Sequence, residues 1–196
     1  MKILGINCMN HDAAMAVVDG TEILWAAHAE RYSKVKNDHY LNQKIVDEAM
    51  TYGPFDKVVY YEKPLLKKTR QIYAGQYELG LSYTEMPQWH LDHFGIKIDE
   101  YVKHHDSHAA AGYFTSGFND AVILTVDAIG EWDTASISTG SGDQITRKET
   151  IQYPHSLGIL YSAFTHRCGL KPAEEEYILM GMAAYGNPIY KDDIFE

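Results

Sequence analysis

KILGINCMNHDAAMAVVDGTEILWAA, at residues 2–27, contains three short apolar runs that are separated by polar turns. The runs cover Lys2 to Cys8, Ala13 to Val18 and Glu22 to Ala27. Asp19-Gly20 lies between the second and third runs, and this dipeptide is a strong signal for a two-residue hairpin turn. The stretch therefore predicts an antiparallel meander of three strands at the start of the chain.

A helix and a further strand are predicted after this meander. Residues 43–52 carry apolar side chains at helical spacing, and Gly53-Pro54 ends the pattern. Residues 57–61 then form an apolar run of strand length. The predicted order is thus three strands, one helix and one strand.

The second half of the chain repeats this order. An apolar run typical of a buried strand covers residues 121–126, and an alternating strand pattern covers residues 134–138. A glycine-rich turn at residues 140–143 leads to a returning strand at 145–151 and then to a helix at 156–167. Ser156 is a suitable N-cap for the helix, and Gly169 is a suitable stop. Two such units predict the α/β class with a duplicated actin-like, RNase H-like fold, as in the sugar kinases.

This fold sets the expected domain organisation. We expect the first actin-like half at residues 1–118, with a helical insertion at about residues 65–95 that caps the cleft, and the start of the second half at residues 119–196. The second half would be incomplete, so we expect a truncated chain, a fragment or one subunit of a split enzyme. Uncovered strand edges then favour a homo- or hetero-oligomer, or a second chain that supplies the missing lobe.

The composition describes a folded protein and argues against some partners. The 196 residues are 45% hydrophobic and carry a formal net charge of -10. This charge would repel a nucleic-acid backbone or an anionic membrane, and no apolar run reaches the roughly 20 residues of a membrane span. We expect a cytoplasmic protein in which Cys8 and Cys168 are reduced and buried.

In a duplicated fold of this kind, the first turns of the two units face each other across a cleft, and their backbone amides can receive phosphates. These turns are Met9-Asn10-His11-Asp12 and Asp127-Ala128-Ile129-Gly130-Glu131. Both carry more polar groups than a plain turn requires, which makes the cleft the expected place of the chemistry. The alternative for either turn is that Asn and Asp only supply turn geometry.

The strongest chemical pattern is KHHDSHAAA at residues 103–111. In a helix, His104 and His108 lie one turn apart on one face, while His105 points elsewhere. Asp127 follows a predicted strand, where its carboxylate would provide a third ligand. Two imidazoles and one carboxylate suit Fe(II), Mn or Zn and leave positions free for a substrate oxygen. The alternative is that both histidines are exposed or are satisfied core residues.

Several ordered motifs resemble the antibiotic and nodulation-factor O-carbamoyltransferases. Together they are far more specific than any one of them, and they run through most of the chain. The segments are LGIN at 4–7, HDAA at 11–14, AERYSK at 29–34, HHDSHA at 104–109, TVDAIGEW at 125–132, SLGILY at 156–161 and MGMAAYG at 180–186.

The resemblance implies a two-part enzyme. One lobe activates carbamoyl phosphate with ATP, and the transfer lobe passes the carbamoyl group from carbamoyl-adenylate to a hydroxyl of a small-molecule acceptor. This chain is similar to the start of the transfer lobe. By the same resemblance, His104, His108 and Asp127 fall on iron-ligand positions, and His11 falls on the general base. The alternative for His11 is a turn residue that is hydrogen-bonded to its neighbour.

A further set of positions falls, by the same resemblance, around the bound nucleotide: Lys36, Asp127, Ala128, Ile129, Gly158 and Ser162. The alternatives are that Lys36 is a solvated charge and that Gly158 only permits helix packing. Two of these positions depart from the family's pattern. Ala128 replaces a glycine, which restricts the turn if a positive φ is required there, and Ser162 stands where an acidic residue is common.

Two other functions compete with carbamoyl transfer. A catalytically silent regulatory module would keep the same nucleotide- and metal-binding cleft. A threonylcarbamoyl transferase-like protein would modify tRNA, but the acidic charge argues against direct nucleic-acid binding. Release of adenosine monophosphate from carbamoyl-adenylate would distinguish an active transferase from a silent module.

Overall fold

The structure, a computed structural model, describes residues 1–195, in which strands and helices alternate as expected for the α/β class. The strands are β1 (Lys2–Asn7), β2 (Ala14–Asp19), β3 (Glu22–His28), β4 (Lys57–Tyr60), β5 (Glu100–Tyr101), β6 (Asp120–Val126), β7 (Asp133–Ser141) and β8 (Gln144–Gln152). The helices are α1 (Glu30–Ser33), α2 (Gln43–Met50), α3 (Pro64–Tyr73), α4 (Tyr77–Leu81), α5 (Pro87–Asp92), α6 (His104–Ser116), α7 (Leu157–Arg167), α8 (Glu176–Ala183) and α9 (Lys191–Phe195). None of the helices in residues 1–195 has the length and apolar character that crossing a membrane requires.

Five strands form the first sheet, in the order β3-β2-β1-β4-β5. β1, β2 and β3 are antiparallel neighbours, so the predicted N-terminal meander is confirmed. β4 pairs with β1 in parallel, and β5 pairs with β4 in parallel. Because parallel strands end at the same edge of a sheet, the turn after β1 and the residues after β4 lie side by side.

One face of this sheet is buried beneath α2. Leu4 on β1 and Met15 on β2 point into the core and are 0% and 1% exposed. α2 turns Ile45 and Ala49 toward them, both 0% exposed, so the predicted helical spacing is confirmed. The side chain of Asn42 accepts a hydrogen bond from the Ile45 backbone N–H and fixes the start of the helix.

β6, β7 and β8 form a separate antiparallel sheet, and α7 follows it, so the order of three strands and a helix occurs twice. Ser156 caps α7, as predicted, because its side chain accepts a hydrogen bond from the helix backbone. The apolar run at 121–126 is not buried as expected, since Val122 and Leu124 are 75% and 67% exposed. Side chains alternate along a strand, and Thr125 is the buried one, so one face of β6 is open.

The insertion predicted between the units is helical and consists of α3, α4 and α5. Pro64 starts α3, where a missing backbone N–H costs nothing. α3 also contacts the second unit, because the Nε of Arg70 donates to the backbone carbonyl of Glu131 over 3.2 Å. The insertion therefore links the first sheet to the turn that follows β6.

The two cysteines lie in different surroundings. Cys8 is fully buried at the end of β1, but Cys168 is exposed, so the expectation of two buried cysteines is wrong for Cys168. Cys168 is exposed because it lies just after the end of α7 and is not part of a sheet. Burial raises the pKa of the Cys8 thiol to about 12.

We predict that a chromogenic disulfide reagent modifies one thiol per native chain at pH 8. With a pKa of about 12, only about one Cys8 in 10⁴ is a thiolate at pH 8, and the reactive fraction rises only as the pH approaches that pKa. Cys168→Ser should therefore leave no thiol that reacts before the chain is unfolded. Rapid modification of two thiols in the native protein would contradict the buried position of Cys8.

Candidate metal centre

His104 and His108 lie one turn apart on α6, as their spacing predicted. Their Nε2 atoms face each other at 2.9 Å. His105 points elsewhere, as expected, because it is fully buried with its Nδ1 3.4 Å from the hydroxyl of Ser136. The helix thus brings two imidazole nitrogens to one point and directs the third histidine into the core.

Asp127 immediately follows β6 and reaches the same point. Its Oδ2 lies 2.8 Å from the Nε2 of His104 and 3.6 Å from the Nε2 of His108. The other carboxylate oxygen accepts a hydrogen bond of 2.6 Å from the Ala128 backbone N–H, which fixes the orientation of the side chain. The structure brings the three predicted residues together, with one potential ligand atom from each within 4.8 Å of the others.

The separations fit the donor set of one divalent ion. Donor atoms that lie about 2.1 Å from an ion and subtend tetrahedral or octahedral angles are about 3.0 to 3.4 Å apart. The three separations in the structure are 2.8, 2.9 and 3.6 Å, so each lies within about 0.2 Å of this range, the tolerance usual for a metal site. Two imidazoles and one carboxylate on a single side leave the opposite side open, which suits Fe(II), Mn or Zn with an exchangeable ligand.

Electrostatics couple the three side chains. Burial acts to lower the pKa of His104, but its interactions with Asp127 and Glu62 outweigh burial and raise the pKa to about 9. Burial acts to raise the pKa of Asp127, but hydrogen bonds with His104 and His108 hold it well below its usual value. A ligating imidazole must be neutral, so an ion that binds here takes the place of the proton on His104.

Glu62 is a part of this centre that the sequence did not reveal. It is 3% exposed, and its Oε2 lies 3.6 Å from the Nδ1 of His104, a buried nitrogen without a hydrogen-bond partner in the described part of the chain. Its other oxygen accepts a hydrogen bond of 2.7 Å from the Nζ of Lys67. A carboxylate behind a ligating histidine orients the ring and raises its basicity. Glu62 lies just beyond the end of β4, as Asp127 does after β6, and this strand-end position was the available signal.

Glu131 holds the centre together through the backbone. It is 3% exposed, and its Oε1 accepts hydrogen bonds from the backbone N–H groups of Lys63, at 2.8 Å, and His104, at 3.0 Å. These N–H groups lie at the starts of α3 and α6, which have no other side-chain cap. The carboxylate therefore ties two helix N-termini to the turn that carries Asp127.

A cavity of about 490 Å³ connects the metal centre with the first turn. Asn10 and His11 line it from the first turn, and Ala128 and Ile129 line it beside the three candidate ligands. The Nδ1 of His11 lies 2.8 Å from the Oδ2 of Asp12, and the His11 side chain is 58% exposed. His11 is thus both hydrogen-bonded to its neighbour and open to the cavity, and the two predicted turns meet there.

Three of the six predicted nucleotide positions, Lys36, Ser162 and Gly158, lie outside the lining of this cavity. Lys36 is exposed, and its Nζ lies 5.4 Å from the ring centre of Tyr177. The hydroxyl of Ser162 donates a hydrogen bond of 2.7 Å to Glu176. α8 therefore supplies a carboxylate next to Ser162.

Gly158 is also absent from the cavity lining, and its backbone packs against the turn after β6. A Cβ at Gly158 would lie 2.6 Å from the backbone atoms of Asp127 and Ala128. This contact supports helix packing as the reason for glycine. Ala128 is not among the residues with a positive φ, so alanine fits this turn without strain there.

Comparisons with known proteins agree with the motifs. The sequence model of the family described as carbamoyltransferase N-terminus matches residues 93–196, slightly more than half of the chain. The chain belongs to the carbamoyltransferase family. The resemblance that the motifs indicated is therefore confirmed, and the matched part of this carbamoyltransferase chain includes all three candidate ligands.

Similar proteins extend the match over the whole chain. The uncharacterized protein sll1178 of Synechocystis is 35% identical over 99% of this chain and 36% of its own length. The nodulation protein NolNO of Sinorhizobium fredii is 27% identical over 97% of this chain and 30% of its own length. The carbamoyltransferase chain thus spans about a third of the length of the curated relatives it matches.

A solved structure shows a more distant likeness. The ethanolamine utilization protein EutJ from Carboxydothermus hydrogenoformans has 13% sequence identity and a TM-score of 0.44, with 91% of this chain and 60% of EutJ covered. At this distance no function is transferred from EutJ to the carbamoyltransferase chain.

Proposed function

We propose that the cavity between the two turns serves carbamoyl transfer from carbamoyl-adenylate to a hydroxyl group of a small-molecule acceptor. Carbamoyl-adenylate would be made from ATP and carbamoyl phosphate. The observation that carries the proposal is that His11 lines the same cavity as His104, His108 and Asp127. Membership of the carbamoyltransferase family supports this class of reaction.

His11 is the general base of the proposal. Its Nδ1 bonds to the carboxylate of Asp12, which favours the proton on Nδ1 and leaves the Nε2 lone pair free. Nε2 accepts the proton of the acceptor hydroxyl while the oxygen forms a bond to the carbamoyl carbon. The bond from that carbon to the phosphate oxygen breaks, and adenosine monophosphate leaves with the electron pair.

His104, His108 and Asp127 would hold the divalent ion, for which we propose Fe(II). When bound, the ion supplies Lewis-acid stabilisation of the negative charge on a phosphate or carbamoyl oxygen. Glu62 orients His104 from behind, and Lys67 balances the charge of Glu62. The chain's own contribution is thus a fixed set of three donors beside a base.

We also infer that the two units form a duplicated actin-like fold. Three antiparallel strands followed by a helix occur twice, and the first turn of each unit lines the same cavity. This arrangement supports binding of the adenylate between the two turns, whose backbone amides are suited to phosphate oxygens.

We predict that His11→Asn slows carbamoyl transfer by about 10²-fold, the lower range for loss of a general base. The assay supplies the Fe(II)-loaded chain with carbamoyl-adenylate and candidate hydroxyl acceptors under anaerobic conditions, and it measures release of adenosine monophosphate. Asparagine keeps a polar side chain in the turn, so the variant should bind Fe(II) as wild type does.

His166→Asn serves as the matched control, because His166 is exposed on α7 and does not line the cavity. It should transfer at the wild-type rate. An unchanged rate of transfer in His11→Asn would show that His11 is not the general base. Binding of carbamoyl-adenylate without any release by the wild-type chain would instead favour the silent regulatory module.

A further inference from the structure

Arg70 is a buried cation that the proposed mechanism does not use. It lies on α3 of the insertion and is 8% exposed. No carboxylate lies within 4.0 Å of its guanidinium among the residues that the structure describes. Removing a charge from water is costly, and an anion bound beside the guanidinium would offset that cost.

The guanidinium is held in a fixed orientation by neutral groups. Its Nε donates to the backbone carbonyl of Glu131 at 3.2 Å, and its Nη1 donates to the side-chain carbonyl of Gln76 at 3.2 Å. The Glu131 carboxylate is engaged elsewhere, with the backbone N–H groups of Lys63 and His104. No hydrogen bond from the Nη2 of Arg70 is found in residues 1–195.

Arg70 also faces the cavity of the metal centre. It lines that cavity together with Lys67, which precedes it by one helical turn on α3. The other charges there are already matched, since Lys67 pairs with Glu62 and His104 pairs with Asp127. Among the residues that the structure describes, no carboxylate pairs directly with the Arg70 guanidinium and Glu62 acts on it only at longer range, so its positive charge is available to a ligand.

We propose that Arg70 forms a binding subsite for a phosphate-type oxyanion in the cavity that contains His104, His108 and Asp127. The planar fork of an arginine matches two oxygens of a phosphate group, and the low exposure strengthens such a contact. In this subsite the insertion supplies part of the ligand recognition instead of only covering the cleft. The inference rests on the proposed function in taking the cavity as the place where the phosphate-bearing substrate binds.

The test measures binding of inorganic phosphate to the metal-free full chain by calorimetry, with a chelator present. Arg70→Gln should bind phosphate about tenfold more weakly than wild type, and Arg70→Lys should fall between the two because it keeps the charge but loses the fork. Arg167→Gln, at an exposed arginine on α7, is the matched control and should bind as wild type does. Equal phosphate affinity of Arg70→Gln and wild type would overturn the subsite.

A second measurement on the wild-type chain covers the case in which Arg70→Gln does not fold. Phenylglyoxal modifies exposed arginines fast and an arginine of low exposure such as Arg70 slowly, so the incubation is continued until Arg70 is measurably modified without phosphate, and mass spectrometry reports each site separately. Phosphate should slow modification of Arg70 and leave that of Arg167 unchanged, whereas equal rates at Arg70 with and without phosphate would contradict the proposal. Neither assay requires metal or turnover. Phosphate binding at Arg70 can therefore be detected even if the chain does not release adenosine monophosphate from carbamoyl-adenylate. Conversely, carbamoyl transfer can be detected even if Arg70 does not bind phosphate.

Discussion

His108→Ala is expected to weaken binding of a divalent ion by at least about 10²-fold. A structural zinc site with four ligands binds with roughly 10–16 kcal/mol, so one ligand contributes roughly 3 kcal/mol. His108 suits this test because its side chain is 53% exposed, and alanine favours the helix in which it lies. The affinity is measured by titration of Mn(II) into metal-free protein, with free Mn(II) followed by electron paramagnetic resonance.

The control for this prediction is His166→Ala, which removes an exposed histidine on α7. It should bind Mn(II) as wild type does, because His166 lies outside the cavity. Equal affinity of His108→Ala and wild type would show that the ion is held elsewhere or not at all. Circular dichroism of all three chains should be the same, which separates loss of a ligand from loss of the fold.

Gly158→Ala is expected to destabilise the protein by about 3 kcal/mol or more, at the upper end of the cost of an added methyl group in a packed site. The new Cβ would lie 2.6 Å from backbone atoms of Asp127 and Ala128, and a backbone cannot give way as a flexible side chain can. α7 or the turn must therefore shift. Urea denaturation followed by circular dichroism measures the loss as a lower midpoint.

Gly112→Ala is the matched control for this change. Gly112 lies inside α6, and nothing comes within 4 Å of a Cβ built there. Alanine in an unobstructed helix interior stabilises by roughly 0.5–1 kcal/mol, so the midpoint should rise slightly. A Gly158→Ala midpoint equal to that of wild type would contradict the tight contact between α7 and the turn.

A shift of the turn in Gly158→Ala should also weaken metal binding, because Asp127 is part of this turn.

The local features of the fold could be predicted from the sequence because they depend on neighbouring residues. The hairpin between β2 and β3, the N-cap at Ser156 and the helical spacing of His104 and His108 are each set by a few adjacent positions. The two turn residues of the hairpin are Gly20 and Thr21, one position later than the dipeptide Asp19-Gly20 that indicated it, because Asp19 still pairs with Glu22. The position of Asp127 was predictable as well, since polar residues at the ends of strands point to sites. These features were enough to bring the three candidate ligands together in the prediction.

The groups that support the centre depend on contacts between distant parts of the chain. Arg70 and Glu131 are 61 positions apart, and His104 and Glu131 are 27 apart, so no local pattern links them. Glu62 lies behind His104 because β4, which precedes Glu62, and β5, which precedes α6, are parallel neighbours that end at the same edge of the sheet. The insertion has no clean apolar period, and its role in lining the cavity could therefore not be read from the sequence.

The prediction that β6 is buried was wrong for a different reason. A continuous apolar run fits a strand that is covered on both faces, and residues 121–126 form such a run. In the structure Thr125 faces inward, and Val122 and Leu124 lie on the open face. The sequence of one strand does not show how many layers cover it, because the covering elements lie elsewhere in the chain.

The most direct test of the metal centre is an anomalous-scattering experiment on crystals of the full chain grown with Mn(II). We expect one strong anomalous peak about 2.1 Å from the Nε2 atoms of His104 and His108 and from the Oδ2 of Asp127. The peak should be absent in crystals of His108→Ala that are grown in the same way. A peak that lies apart from these three residues, or no peak in wild-type crystals at saturating Mn(II), would show that these residues do not hold the ion.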